Sequence, residues 1–127
     1  MVNIWLFTKD GFFSAVSGDT IRDGEIMIRG RFHGDLRRML DAIGLNEKIF
    51  FTPEADYLCR TIIPRVKWVE YLAKAANEID YGNFKNAACA DGDRYRAYHG
   101  VWLEMKLWES ESSIARQLRS FGKGKHS

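Results

Sequence analysis

Two aspartate–tyrosine pairs stand at boundaries in the chain. They are Asp56-Tyr57, with Arg60 three residues on, and Asp80-Tyr81, followed by Phe84 and Lys85. A polar pocket at one end of a sheet would use Arg60 or Lys85 to hold an anion. Boundary aspartates also act as turn formers or helix caps without any ligand. Farther on, Arg94, Tyr98 and Trp102 fall at i, i+4 and i+8 of a helical stretch, with Arg96, His99 and Leu103 on a neighbouring stripe. Such a row packs as a cation–π stack, or lines a pocket whose basic end takes a carboxylate or phosphate. An unperturbed imidazole titrates near neutrality, which makes His99 a candidate general base. No serine or cysteine is tied to it by a motif, so catalytic residues stay unassigned. The candidate ligand-binding set is therefore Asp56, Tyr57, Arg60, Asp80, Tyr81, Lys85, Arg94, Tyr98, His99 and Trp102.

Other chemistry is weakly supported. His33-Gly34-Asp35 opens a helix, and helix N-termini attract anions, but no glycine-rich phosphate loop accompanies it. Cys59 and Cys89 lack a Cys-x-x-Cys arrangement, and His33, His99 and His126 show no ligand spacing. No metal or cofactor is expected, and the two thiols read as free in a reducing compartment, with a Cys59–Cys89 disulfide as the alternative.

The elements that would position these residues begin with a hairpin. Asn3 to Phe7 and Phe12 to Val16 flank Asp10-Gly11, a type I′ turn signal. Trp5 and Phe7 share one face and Ile4 and Leu6 the other, so both faces are apolar. That pattern fits a pair buried on both sides, a partner or self interface, or a stacking surface of the kind RNA-binding sheets present. A third strand carries Ile26, Ile28 and Phe32 against Met27, Arg29 and Arg31, giving one largely basic face. Leu36, Met39, Leu40 and Ile43 form a helical stripe that ends at Gly44. Lys48–Thr52 and Tyr57–Ile63 read as the fourth and fifth strands, with Arg60 pointing away from Tyr57. Pro64 opens a helix whose stripe is Val66, Val69, Leu72, Ala73, Ala76 and Ile79, widened by Trp68, Tyr71 and Ala75. Phe84–Ala90 suggests a short helix. Tyr98, Val101, Trp102, Met105 and Trp108 mark a long one, and Ile114 to Phe121 resume helical spacing. Short links make the sheet mainly antiparallel. The expected fold is α+β: about five strands with helices packed on one face. Residues 1–121 read as a single domain and 122–127 as a flexible basic tail.

Composition agrees with an ordinary folded protein. The 127 residues carry 19 Lys and Arg against 17 Asp and Glu, a formal charge of +2. That balance gives no general pull toward nucleic acid. Apolar stretches are only a few residues long, against the roughly 20 that a membrane span needs. With no signal-like N-terminus, the expected location is the cytoplasm. The unusual feature is 4 Trp, 5 Tyr and 8 Phe.

Trp5-Leu6-Phe7-Thr8, Gly11-Phe12-Phe13-Ser14, Asp56-Tyr57 with Arg60, Ile79-Asp80-Tyr81 with Asn83-Phe84-Lys85, and Tyr98-His99 with Val101-Trp102 together resemble a family of short uncharacterised bacterial proteins. The resemblance spans positions 4 to about 105. It supplies no activity and no catalytic residues. It implies a bacterial setting and that the two candidate clusters form one site. Three functions stay open. The first is a small self-associating binding module with a protein or a second copy as partner. The second is an enzyme or binding protein for an anionic small molecule. The third is a nucleic-acid or nucleoprotein binder using Arg29, Arg31 and the tail.

Overall fold

The computed structural model describes residues 3–18, 20–79, 92–112 and 117–118. The chain falls into two compact units, Met1–Phe84 and Lys85–Ser127, where the sequence suggested one domain over 1–121. Each unit is described by itself. The suggested helix at 84–90, the segment at 119–121 and the basic tail lie outside the described residues.

The first unit is built on five strands, β1 (Asn3–Phe7), β2 (Phe12–Val16), β3 (Glu25–Gly30), β4 (Phe50–Phe51) and β5 (Cys59–Pro64). They form one antiparallel sheet in the order β1-β2-β3-β5-β4. Helix α1 (His33–Ala42) links β3 to β4, and α2 (Arg65–Asn77) follows β5 directly. This is the expected α+β architecture. Pro64 sits as the N-cap of α2, where its missing N–H costs nothing. Gly44, with φ +68°, takes the left-handed step that ends the α1 region.

Both helices cover the same sheet face. Phe13, Ala15, Ile26, Ile28, Cys59 and Ile63 point there from alternate strand positions and meet Leu36, Met39 and Leu40 of α1 and Trp68 and Tyr71 of α2. Leu36, Met39 and Leu40 are fully buried, each contributing about 1.5–3 kcal/mol by burial. Trp68 stacks on Tyr71 at 5.5 Å, and Phe13 meets both rings edge-on.

Several sequence expectations are corrected. The buried side of α2 is Trp68 and Tyr71, with Leu72 and Ala75 half-buried, while Val66, Val69 and Ile79 are exposed. Positions 68, 71, 72 and 75 have the same i, i+3, i+4, i+7 spacing as the valine stripe. The two large rings bury more area than valines, so they decide which side faces the sheet. β1 is an edge strand, so Trp5 and Ile4 are exposed rather than core. Phe50 and Phe51 are exposed too, because β4 is a two-residue edge. The β1–β2 turn forms, with Thr8 and Gly11 exchanging backbone hydrogen bonds around Lys9-Asp10. No described non-glycine residue has a positive φ, so the turn is not type I′.

In the second unit, α3 (Gly92–Glu111) is a 20-residue helix with no buried residue. Among the described residues no helix is long and apolar enough to cross a membrane.

Candidate functional site

The sequence-derived candidates divide between the two units. Asp56 and Tyr57 precede β5, which carries Arg60; Arg94, Tyr98, His99 and Trp102 lie on α3. Asp80, Tyr81 and Lys85 lie outside the described residues.

The face of the sheet turned away from α1 and α2 carries the densest chemistry. Register places Trp5 opposite Ser14, Ser14 opposite Arg29, Arg29 opposite Arg60, and Arg60 opposite Phe50. Directly opposed residues share a face, so one row crosses all five strands as Trp5–Ser14–Arg29–Arg60–Phe50. Four inter-strand steps make it roughly 19 Å long. Its two ends are exposed rings, Trp5 at 65% and Phe50 at 42%. Its centre is a pair of like charges.

Neutral groups, not carboxylates, hold those charges. Arg29 Nη2 donates to Ser14 Oγ at 2.7 Å, and Ser14 donates to Asn3 Oδ1. Arg60 Nε donates to Thr52 Oγ1 at 3.2 Å, and its Nη1 approaches Met27 Sδ at 3.7 Å. Arg29 Nε is buried without a hydrogen-bond partner among the described residues. A third guanidinium adjoins them. Arg29 and Arg31 both lie over the Tyr57 ring, with Cζ 4.6 and 4.4 Å from its centroid. Arg31 Nη1 also donates to the Asp56 carbonyl at 2.7 Å. None of Arg29, Arg31 and Arg60 makes an ion pair among the described residues. One reading of this region is thereby corrected. Tyr57 sits in the bend before β5, so strand alternation does not govern it, and its ring reaches the arginine face.

Beside the row, Phe12 stacks on Phe7 at 4.5 Å, meets Trp5 edge-on at 6.1 Å and lies 6.3 Å from Tyr57. An aromatic corner therefore adjoins the arginines.

Sequence reasoning missed a buried polar clamp under the β1–β2 turn. Tyr71 Oη donates to Asp10 Oδ2 at 2.7 Å and lies 2.9 Å from Thr8 Oγ1. The Asp10 N–H also reaches Thr8 Oγ1, at 3.1 Å. Arg38 joins the turn to α1, donating to the Asp10 carbonyl at 2.9 Å and to Asp35 Oδ1 at 2.6 Å. Asp35 is nearly fully buried, so its role exceeds the helix-start charge expected of it. A Cβ on Gly11 would collide with the Asp35 side chain. These bonds satisfy one another and fix the hairpin on the helices, which sets the position of Trp5.

On α3 the first step of the expected row forms: Arg94 donates to Tyr98 Oη at 3.2 Å, and its Cζ lies 6.0 Å from the ring centroid. Trp102 also stacks with His99 at 5.5 Å, and His99 with Tyr95 at 6.0 Å. These pairs lie three and four positions apart, and such residues are neighbours on a helix.

Cys59 is free and buried; burial, and secondarily the Asp35 charge, push its thiol above the ordinary range. Cys89 lies outside the described residues. Among the described residues, no group of three or more His, Cys, Asp or Glu is placed to hold a metal ion. Comparison with family models, curated proteins and solved structures finds no match to this chain.

Proposed function

We propose that the protein is a binding module that holds a single-stranded nucleic acid across the open face of its sheet. The observation that carries this reading is the Trp5–Ser14–Arg29–Arg60–Phe50 row, with Arg31 beside it. Single strands are held by aromatic platforms for bases and by cations that track the phosphates. The row offers a ring at each end and guanidinium groups between. Like charges directly opposed across strands destabilise a sheet, and a phosphate over Arg29 and Arg60 would turn that repulsion into attraction. Arginine suits this because its planar donors fork onto phosphate oxygens.

The positive charge is local, since the whole chain is only +2. Binding is therefore short in footprint and sequence-tolerant, because stacking reads the π-face of every base. The reading needs no catalysis. The free, buried thiol of Cys59 supports a reducing, cytoplasmic setting.

The test is fluorescence anisotropy with a labelled short single-stranded oligonucleotide, set against a duplex of the same sequence and an acidic peptide. The expected result is preference for the single strand. Trp5→Ala should weaken binding by about 1–3 kcal/mol, the value of one stacked base. Phe51→Ala is the control, because that exposed ring projects from the other parity of β4. Equal binding of the acidic peptide, or indifference to Trp5→Ala, would contradict the proposal.

A further inference from the structure

The second unit presents an independent surface. Tyr95, Tyr98, Val101, Trp102, Met105 and Trp108 fall on one stripe of α3. None of them is buried, and Trp102 and Trp108 are 55% and 68% exposed. Trp102, Met105 and Trp108 line a shallow groove. Leu103 and Leu107 are also exposed, on the other side of α3, but only the stripe is contiguous and aromatic, the kind of patch that interfaces use.

The charges along α3 identify the occupant. After Asp93, its N-terminal half carries Arg94 and Arg96, while its C-terminal half holds Glu104, Glu109 and Glu111 against the single cation Lys106. Its last turn holds no basic residue. Cations at the positive end of a helix and carboxylates at the negative end both oppose the macrodipole. An antiparallel neighbour with the same sequence reverses both penalties, because its acidic end meets the basic end and the two dipoles oppose.

We propose that α3 pairs antiparallel with α3 of a second copy of this chain, about a two-fold axis between Val101 and Trp102. That axis sets Arg94 against Glu109, Tyr95 against Trp108, Tyr98 against Met105 and Val101 against Trp102. Every stripe residue then meets another stripe residue, as a self-complementary two-fold interface requires. The stripe offers roughly 1,000 Å² over two copies, the lower limit for a specific interface. The dimer is therefore reversible and depends on concentration. This inference does not depend on nucleic-acid binding by the sheet.

Sedimentation equilibrium of the full chain, from low to high micromolar, tests it. The wild type should shift from monomer to dimer. Arg94→Glu alone and Glu109→Arg alone should each weaken the dimer about ten-fold, because symmetry repeats the pair twice. The two changes together should restore it. Trp102→Glu should abolish it, with far-UV circular dichroism checking that the helix persists. A wild type that stays monomeric at high micromolar concentration would overturn the proposal. So would a double variant no tighter than the singles, because a parallel pair would set residue 94 against itself. The charge pair remains decisive if Trp102→Glu unfolds the helix.

Discussion

Arg29 and Arg60 stand directly opposite each other on adjacent strands, on the sheet face that α1 and α2 leave uncovered. Their partners are a serine, a threonine, a thioether and the Tyr57 ring. Cross-strand like charges are usually avoided, and here no carboxylate among the described residues is paired with either.

Removing one member of that pair should separate stability from binding. Arg60→Met keeps an apolar stem beside Met27 and ends the repulsion, at the loss of one hydrogen bond to Thr52. Unfolding free energy should stay within about 0.5 kcal/mol of wild type, as for surface changes generally. Oligonucleotide affinity should fall by about 1 kcal/mol or more, the value of a charge-assisted hydrogen bond. Urea titration and anisotropy on one preparation check both.

The clamp beneath the turn makes Tyr71 and Gly11 sensitive positions. Tyr71→Phe removes a hydroxyl placed between Asp10 and Thr8 and should cost about 1–3 kcal/mol, because the Asp10 carboxylate loses its Tyr71 donor, a hydrogen bond to a charged group. Gly11→Ala forces a methyl group into Asp35 and should cost at least about 1–3 kcal/mol. Gly44→Ala, where nothing lies near the added carbon, should cost only the strain of its positive φ. Urea midpoints of the three variants rank these effects.

Alkaline pH should weaken the first unit through Cys59. The folded thiol titrates above its ordinary value because burial disfavours the thiolate. A raised folded pKa gives stability that is complete below the unfolded value, about 8.5, and lost as pH climbs through the folded one. Urea titrations at rising pH should show wild type losing stability more steeply than Cys59→Ala above that point. Parallel curves would contradict the assignment.

Local signals in the sequence located much of the fold. The hairpin follows from Asp10-Gly11 between two apolar runs, and β2 has the expected bounds, Phe12–Val16. The stripe Leu36, Met39, Leu40 and Ile43 found the buried side of α1. The arginine face was half legible, because alternation along the expected third strand put Arg29 and Arg31 on one face, although β3 itself ends at Gly30. Their partner was not. Arg60 joins them through the β3–β5 register, a long-range pairing that no local spacing encodes. The bend at Tyr57 defeated strand alternation for the same region. For α2, two overlapping stripes had equal periodicity, and only tertiary packing of Trp68 and Tyr71 chose between them.

The salt dependence of oligonucleotide affinity tests the central claim most directly. The proposed site offers a strand three guanidinium groups, those of Arg29, Arg31 and Arg60. Each neutralised phosphate of a single strand contributes about −0.7 to the slope of log K against log salt, so three contacts predict a slope of about −2. The account predicts that value for wild type, falling by about 0.7 in Arg60→Met. Absence of binding at low salt, or a slope near zero that Arg60→Met does not change, would contradict it.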